Sequence, residues 1–129
     1  MPVRITLEPS GRVVGIASGP MTLRDVRDAL RVQWGASPEP ASTVLWDIRQ
    51  VRAALGDGEV RDLVGFVLAG QGGHAPLRVG VVATGDVEFG LLRMYEAHRS
   101  GNGTDMRAFR NYDEAEAWTR PENLSTTTD

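Results

Sequence analysis

The first apolar pattern of the chain alternates with a period of two, which is typical of a strand with one face in water. Val3, Ile5 and Leu7 are apolar, and polar residues stand between them. A second β-like segment, residues 12–18, follows a turn signal at residues 9–11. The two segments predict an antiparallel hairpin, and the polar face of the first strand suits the edge of a sheet.

Further along the chain the apolar residues recur every three or four positions, which predicts helices. The first helix begins at Thr22, which forms a capping pattern with Asp25, and it ends at Gly35. Asp57 and Asp86 are the predicted caps of the second and third helices. The apolar stripes of the three helices are Leu23, Val26, Leu30 and Trp34; Val60, Leu63, Val64, Val67 and Leu68; and Val87, Leu91, Met94 and Tyr95.

Two segments are apolar on both faces, as central strands covered by helices should be. They are TVLWDIR at residues 43–49 and LRVGVVA at residues 77–83. Residues 105–110 predict a last, more exposed strand, and residues 112–118 predict a short acidic helix. The polar tail, residues 120–129, has the composition of a disordered segment.

The predicted order of elements is ββαβαβαβα, within one domain over residues 1–119. Strands that alternate with helices form a largely parallel sheet, because each crossover is right-handed and returns the chain in the same direction. The N-terminal hairpin adds an antiparallel edge. We therefore predict a single-domain α/β sandwich with helices packed on the sheet.

Composition limits the function classes. The chain has 129 residues, and its net charge of −3 gives no basic surface for nucleic acid. No apolar run is long enough to insert into a membrane, and the N-terminal residues lack the apolar segment of a secretory signal, so we expect a cytoplasmic protein. All 14 basic residues are arginine and there is no cysteine, which excludes catalysis by an amine or a thiolate. We predict no catalytic residue, no cofactor and no metal ion.

Three stretches resemble the SpoIIAA-like family, which is related to the STAS domains. They are TVLWDIRQV at residues 43–51, followed by a helix that opens with a Gly-Asp-Gly sequence at residues 56–58; LRVGVVA with the DVEFGLLRMYEA helix at residues 86–97; and MRAFRNYDEAEAW at residues 106–118. The resemblance implies a non-enzymatic fold that binds a partner protein or an apolar ligand.

In the antagonist branch of that family, a phosphorylatable serine stands at the start of the helix after the central strand. The corresponding stretch here is Leu55-Gly56-Asp57-Gly58, so the glycine matches and the serine does not. A kinase cannot switch a carboxylate. This departure argues against regulation of the protein by phosphorylation at Asp57.

Asp47 at the end of TVLWDIR has two interpretations. As a phosphate-accepting acid it would need neighbouring acids for Mg²⁺ and a lysine, and only Thr84 of the accompanying groups is present. As a structural acid it would bind loop amides or pair with Arg49 or Arg52, and we favour this interpretation. With Asp57 and Asp86, these residues form a loop cluster predicted at the ends of the strands. An enzyme using Asp47, Asp57 and the arginines is the least favoured hypothesis.

Some apolar residues lie off the stripes. We assign Phe66 to the side of the second helix, and Phe89 and Leu92 to the outer side of the third. Together with Tyr95 they are the predicted binding residues. The leading hypothesis is a binding or regulatory domain that contacts a second copy of itself or another protein through the second and third helices. The alternative is a carrier or sensor of an apolar small molecule or lipid, held in a pocket under the third helix.

Overall fold

The structure, a computed structural model, describes residues 2–36, 42–71, 75–99 and 103–128. These residues form one five-stranded sheet and four α-helices. The strands are β1 (Val3–Leu7), β2 (Arg12–Met21), β3 (Thr43–Ala53), β4 (Arg78–Val82) and β5 (Asp105–Phe109). The helices are α1 (Leu23–Ala36), α2 (Asp57–Gln71), α3 (Asp86–Arg99) and α4 (Tyr112–Trp118).

The strands lie in the order β1-β2-β3-β4-β5. β1 pairs with β2 in antiparallel fashion, and every other pairing in the described sheet is parallel. The predicted element order and edge hairpin are therefore confirmed. Because the sheet order follows the chain order, right-handed crossovers place α1, α2 and α3 on one face. α4 follows the last strand and packs on the opposite face, against β3, β4 and β5.

β2 and β3 extend further than the sequence pattern predicts. After a bulge in β2, the parallel pairing resumes at Ser18 and continues to Met21, which pairs with Ala53. Gly19 takes a φ of 86° within this stretch, a left-handed conformation that glycine adopts without steric cost. The extension carries β2 and β3 beyond the carboxyl end of β4.

The start of α1 matches its prediction. The backbone N–H of Thr22 donates to Asp25 Oδ2 at 2.9 Å, and the N–H of Asp25 donates back to Thr22 Oγ1 at 3.3 Å. This reciprocal pair satisfies two amide groups that the first helical turn leaves open. The N-terminus of α1 is therefore fixed by its own sequence.

The predicted caps of α2 and α3 are wrong by one residue. The carbonyl of Gly56 accepts from the N–H of Val60 at 3.2 Å, and that of Gly85 accepts from the N–H of Phe89 at 2.8 Å. Both acids lie inside the helices as first residues, where the helix dipole favours negative charge. An acid is common both at the cap and at the first residue of a helix, so the residue type alone does not distinguish the two positions.

Two apolar layers enclose the sheet. The larger lies between the sheet and α1–α3, and its buried members include Val13, Ala29, Val44, Trp46, Val81 and Met106. The smaller lies under α4 and is built on Leu45, Val82 and Ala115. Alternate residues of β3 thus enter different layers, which explains why TVLWDIR is apolar on both faces.

The chain continues after α4 as a 3₁₀ helix, Pro121–Thr128. Disorder of residues 120–129 stays a prediction, and Asp129 lies outside the described residues. Within the described ranges, no helix is long and apolar enough to cross a membrane.

Candidate functional site

A partly open cavity of about 290 Å³ lies between the sheet and the helices α1, α2 and α3. Protein interiors normally contain few voids larger than a water molecule, so an open space of this size that reaches buried core residues is unusual. Apolar side chains form most of the wall, and the smaller ones among them include Ala17, Ala29, Val44, Val60, Val67 and Val81. The volume is close to the lower limit of typical small-molecule pockets.

Two tryptophans that line the cavity lie against glycines. The ring of Trp46 occupies the place that a Cβ atom of Gly15 would need, on the neighbouring strand. The ring of Trp34 does the same at Gly70, and it stacks on Phe66 with ring centroids 5.5 Å apart. Glycine at these two positions lets each ring lie close to the backbone instead of filling the centre of the core.

Polar side chains reach the cavity at both ends. The helices run opposite to the strands, so Gln33 and Arg99, near the ends of α1 and α3, lie toward the amino ends of the strands. Tyr95 lies one helical turn before Arg99. Glu88 lines the opposite end, where its Oε2 accepts from the backbone N–H of Ala53 at 2.9 Å. The cavity is therefore apolar along its length and polar at its ends.

The environment of Tyr95 keeps its phenol protonated. Burial raises the pKa of Tyr95 to about 12, although the positive charge of Arg99 acts in the opposite direction. Arg99 itself is only 2% exposed. At neutral pH both side chains therefore present hydrogen-bond donors in a largely dehydrated place.

The inner face of α3 differs from the predicted one. Leu92 was assigned to the outer side, but it packs against the main core and lines the cavity, whereas Val87 is 65% exposed. The cavity-facing residues are Glu88, Leu91, Leu92, Tyr95 and Arg99, at helical spacing. The predicted stripe contains only apolar residues, so the charged residues at the ends of the observed stripe, Glu88 and Arg99, hid its direction. Spacing counted without regard to charge would have found it.

The predicted binding residues therefore have separate surroundings. Leu92 and Tyr95 line the cavity, and both pack on the main core. Phe66 stacks on Trp34 of α1 and lies under two arginines of that helix. The guanidinium of Arg110 lies 4.4 Å from the ring centroid of Phe89. A functional role for any of the four stays a prediction.

Asp47 lies on the face of the sheet opposite to the cavity, and it is 8% exposed. It accepts hydrogen bonds from the backbone N–H, Nε and Nη2 of Arg49, at 3.1, 2.9 and 2.7 Å. The side chain of Arg49 is the main cause that lowers the pKa of Asp47 below its usual value. The same guanidinium lies 4.7 Å from the ring centroid of Tyr112. The predicted pairing of Asp47 with Arg49 is confirmed.

The other loop residues take part in different contacts. Asp86 accepts from Arg110 Nη1 at 2.9 Å, and the same nitrogen lies 3.4 Å from the carbonyl oxygen of Thr84. Arg52 and Asp57 are exposed. Among the residues that the structure describes, no group of three or more histidine, aspartate or glutamate side chains could hold a metal ion.

No protein-family model matches the sequence, and no curated protein matches it significantly. Two solved structures resemble the fold. One is an uncharacterised protein of the DUF3478 family with a SpoIIAA-like fold from Shewanella loihica PV-4, with 19% identity and a TM-score of 0.61 over 91% of this chain and 93% of that chain. The other is the anti-sigma factor antagonist SpoIIAA in its unphosphorylated form, with 15% identity and a TM-score of 0.56 over 92% of this chain and 96% of that chain. These similarities confirm the predicted SpoIIAA-like fold.

Proposed function

From the SpoIIAA-like fold and the cavity beneath its three helices, we propose that the protein is a non-enzymatic, cytoplasmic binding domain for an apolar small molecule. The cavity is the observation that carries the proposal. It has a volume of about 290 Å³, and apolar side chains form most of its wall. Buried apolar space of this kind binds apolar ligands more readily than it holds water, because water needs polar partners.

Contact with the apolar wall favours an occupied cavity. Apolar ligand surface that leaves water contributes about 25 cal/mol per Å² buried. A ligand that packs against this wall would therefore stabilise the folded protein.

The volume sets the size of the ligand. A molecule packed at about 30 Å³ per non-hydrogen atom, the share of a water molecule in the liquid, would have about ten such atoms. 1-Octanol, with an eight-carbon chain, is a suitable probe. Isothermal titration calorimetry should detect its binding to the purified full chain.

Neighbouring positions of α2 offer a matched pair of variants. Val67 is 5% exposed and lines the cavity, whereas Leu68 is 39% exposed. Val67→Phe should take up part of the cavity and weaken 1-octanol binding, and Leu68→Phe should leave binding unchanged. Equal binding by the wild type and a folded Val67→Phe variant, or no binding by the wild type, would overturn the proposal.

Contact with another protein is the second candidate function. It is favoured by the fold that this chain shares with SpoIIAA, which is described as an anti-sigma factor antagonist. α3 also presents Val87 to solvent, with 65% of its surface exposed. A second copy of this chain is the partner that we test first.

Sedimentation velocity of the wild type, Val87→Asp and Phe89→Asp separates the candidates. A dimer that both variants dissociate would support contact through α3. A monomer at all concentrations, or a dimer that neither folded variant weakens, would argue against self-association through this helix. Neither result depends on whether 1-octanol binds.

A further inference from the structure

The amino-end pole of the cavity carries three polar side chains, Gln33, Tyr95 and Arg99. Tyr95 and Arg99 are four residues apart on α3, so they project from the same side of the helix. Gln33 comes from the last part of α1 and is only 7% exposed. A purely apolar ligand would use none of these groups.

The chemistry of this pole favours an anion. A guanidinium carries five N–H donors and no acceptor, and a protonated phenol and an amide add further donors. A carboxylate has only acceptors, and charge-assisted hydrogen bonds to arginine are among the strongest in proteins. A ligand ammonium group would be repelled by Arg99. The pole thus matches the head group of a carboxylic acid in its ionised form.

The opposite pole offers no competing site for an anion. Its polar group is the carboxyl of Glu88, and Glu88 Oε2 already accepts from the N–H of Ala53 at 2.9 Å. Between the poles the wall is apolar, formed by residues such as Leu63, Val81 and Leu92. The apolar chain of a ligand should therefore lie along the apolar wall between the poles, and its polar head group should lie at the amino-end pole.

Arg99 is also close to the outside of the molecule. Together with Met106 it lines a second hollow, on the far side of the cavity wall, whose other residues include Glu96, Thr104 and Arg107. A head group at Arg99 lies at the part of the wall nearest to this hollow. The charge of Arg99 offsets the loss of hydration that makes a carboxylate costly to bury.

Building on the proposed function, we propose that the cavity binds a medium-chain carboxylate, with its carboxylate at Arg99 and Tyr95 and its chain toward the carboxyl ends of the strands. Octanoate has ten non-hydrogen atoms and fits the volume on the estimate of about 30 Å³ for each. Arg99 acts here as a binding and specificity residue.

Three probes of one chain length test the head-group preference: octanoate, 1-octanol and octylammonium. Calorimetric titration of the full chain at pH 7 should rank octanoate first and octylammonium last. Losing a charge-assisted hydrogen bond typically weakens binding by about tenfold to a hundredfold, so octanoate should bind at least about tenfold more tightly than 1-octanol.

Arg99→Met removes the charge and keeps a long apolar side chain. It should weaken octanoate binding by at least about tenfold and leave 1-octanol binding unchanged. Arg93→Met is the matched control, because Arg93 is an exposed arginine of the same helix. It should change neither affinity. If Arg99→Met does not fold, Tyr95→Phe should lower octanoate affinity selectively.

The outcomes separate the two proposals. Equal affinity for octanoate and 1-octanol in the wild type would overturn the head-group assignment and leave the apolar-ligand function intact. The same would follow if Arg99→Met weakened both probes equally. If none of the three probes bound, both proposals would fail.

Discussion

At the scale of single residues, Asp47 and Arg49 form an ion pair within one strand, with 2.7 Å between Asp47 Oδ2 and Arg49 Nη2. Asp47→Asn removes the charge and keeps one acceptor oxygen. We expect it to lower the free energy of unfolding by about 1 kcal/mol at pH 7, because the arginine remains partly exposed. Asp28→Asn is the control, since its ion pair with Arg31 is exposed on both sides. That variant should change stability by less than about 0.5 kcal/mol.

The pH dependence gives this prediction a sign. Because Arg49 lowers the pKa of Asp47 in the folded protein below the usual 3.8, the stabilisation is present above the pKa of the unfolded chain. It is lost as the pH falls below about 4, through the folded pKa. Urea unfolding at pH 7, 5 and 3 should show the wild type and Asp47→Asn converging at low pH. A constant difference down to pH 3 would contradict this account.

Tyr95 predicts a loss of stability at alkaline pH. Burial raises its pKa from 10.0 to about 12, so the folded state holds the phenolic proton more tightly than the unfolded state does. Stability should therefore fall as the pH rises from about 10 to about 12. The chain has no lysine and no cysteine, so few other side chains titrate in this window.

Tyr95→Phe should lose less stability than the wild type over this pH range, as measured by urea unfolding between pH 8 and pH 11. The control variant Tyr112→Phe keeps Tyr95 and should retain the alkaline loss. Equal slopes for the wild type and Tyr95→Phe would show that burial of this phenol does not control the alkaline behaviour.

The Asp47–Arg49 pair and Arg99 differ in how far the sequence predicts their surroundings. Asp47 and Arg49 are two positions apart on one strand and project to the same face, so their pairing follows from local geometry. The burial of Arg99 does not, because an arginine at a helix end is ordinarily a solvated residue. Its burial depends on how α3 lies over the sheet, and that information is distributed over the whole chain.

At the scale of elements, substitution by alanine should change the stability of the protein in opposite directions at two glycines. A Cβ at Gly15 would overlap the ring of Trp46, whereas a Cβ at Gly65 has open space around it in the middle of α2. Gly15→Ala should destabilise the protein by about 1–3 kcal/mol, because Trp46 must move. Gly65→Ala should stabilise it by about 0.5–1 kcal/mol, because alanine favours the helix and restricts the unfolded chain.

Thermal and urea unfolding of both glycine variants measures this difference, with Gly90→Ala as a second open helical position in α3. Gly90→Ala should resemble Gly65→Ala. A neutral or stabilising Gly15→Ala variant would mean that Trp46 is not held against β2. It would also mean that glycine at position 15 is not what lets the Trp46 ring lie at the side of the cavity.

The elements themselves are the part of the fold that the sequence predicts best. Periodicity identified the strands and helices, and the order of elements led to the parallel sheet with its antiparallel edge. The extension of β2 to Met21 was missed, because glycine and proline usually end a strand and here pairing with β3 overrides that preference. The direction of α3 was missed because charged residues line part of its inner face.

At the scale of the whole molecule, the cavity arises from contacts among the sheet and three helices that no local pattern contains. α1, α2 and α3 each have an ordinary apolar stripe, and β2 to β5 have ordinary buried positions. The space among them depends on the sum of many side-chain volumes and on the distance between helices and sheet. The sequence could therefore suggest a pocket under the third helix as one alternative, and only the assembled fold locates it.

Ligand binding should be coupled to the stability of the entire domain. A ligand that binds only the folded state at one hundred times its dissociation constant stabilises it by about 2.7 kcal/mol. For a chain of 129 residues, this should raise the thermal midpoint by roughly 8–13 °C. We expect 1-octanol and octanoate to produce such shifts in the wild type and in Leu68→Phe.

Val67→Phe should behave differently in both respects. Its larger side chain occupies part of the space of the ligand, so the unliganded variant should unfold at or above the wild-type temperature if the ring fits without strain. Added 1-octanol should then produce a smaller shift than in the wild type, as measured by scanning calorimetry over a series of ligand concentrations. A full ligand-induced shift in this variant would place the binding site elsewhere on the molecule, because a narrowed cavity cannot accept the probe equally well.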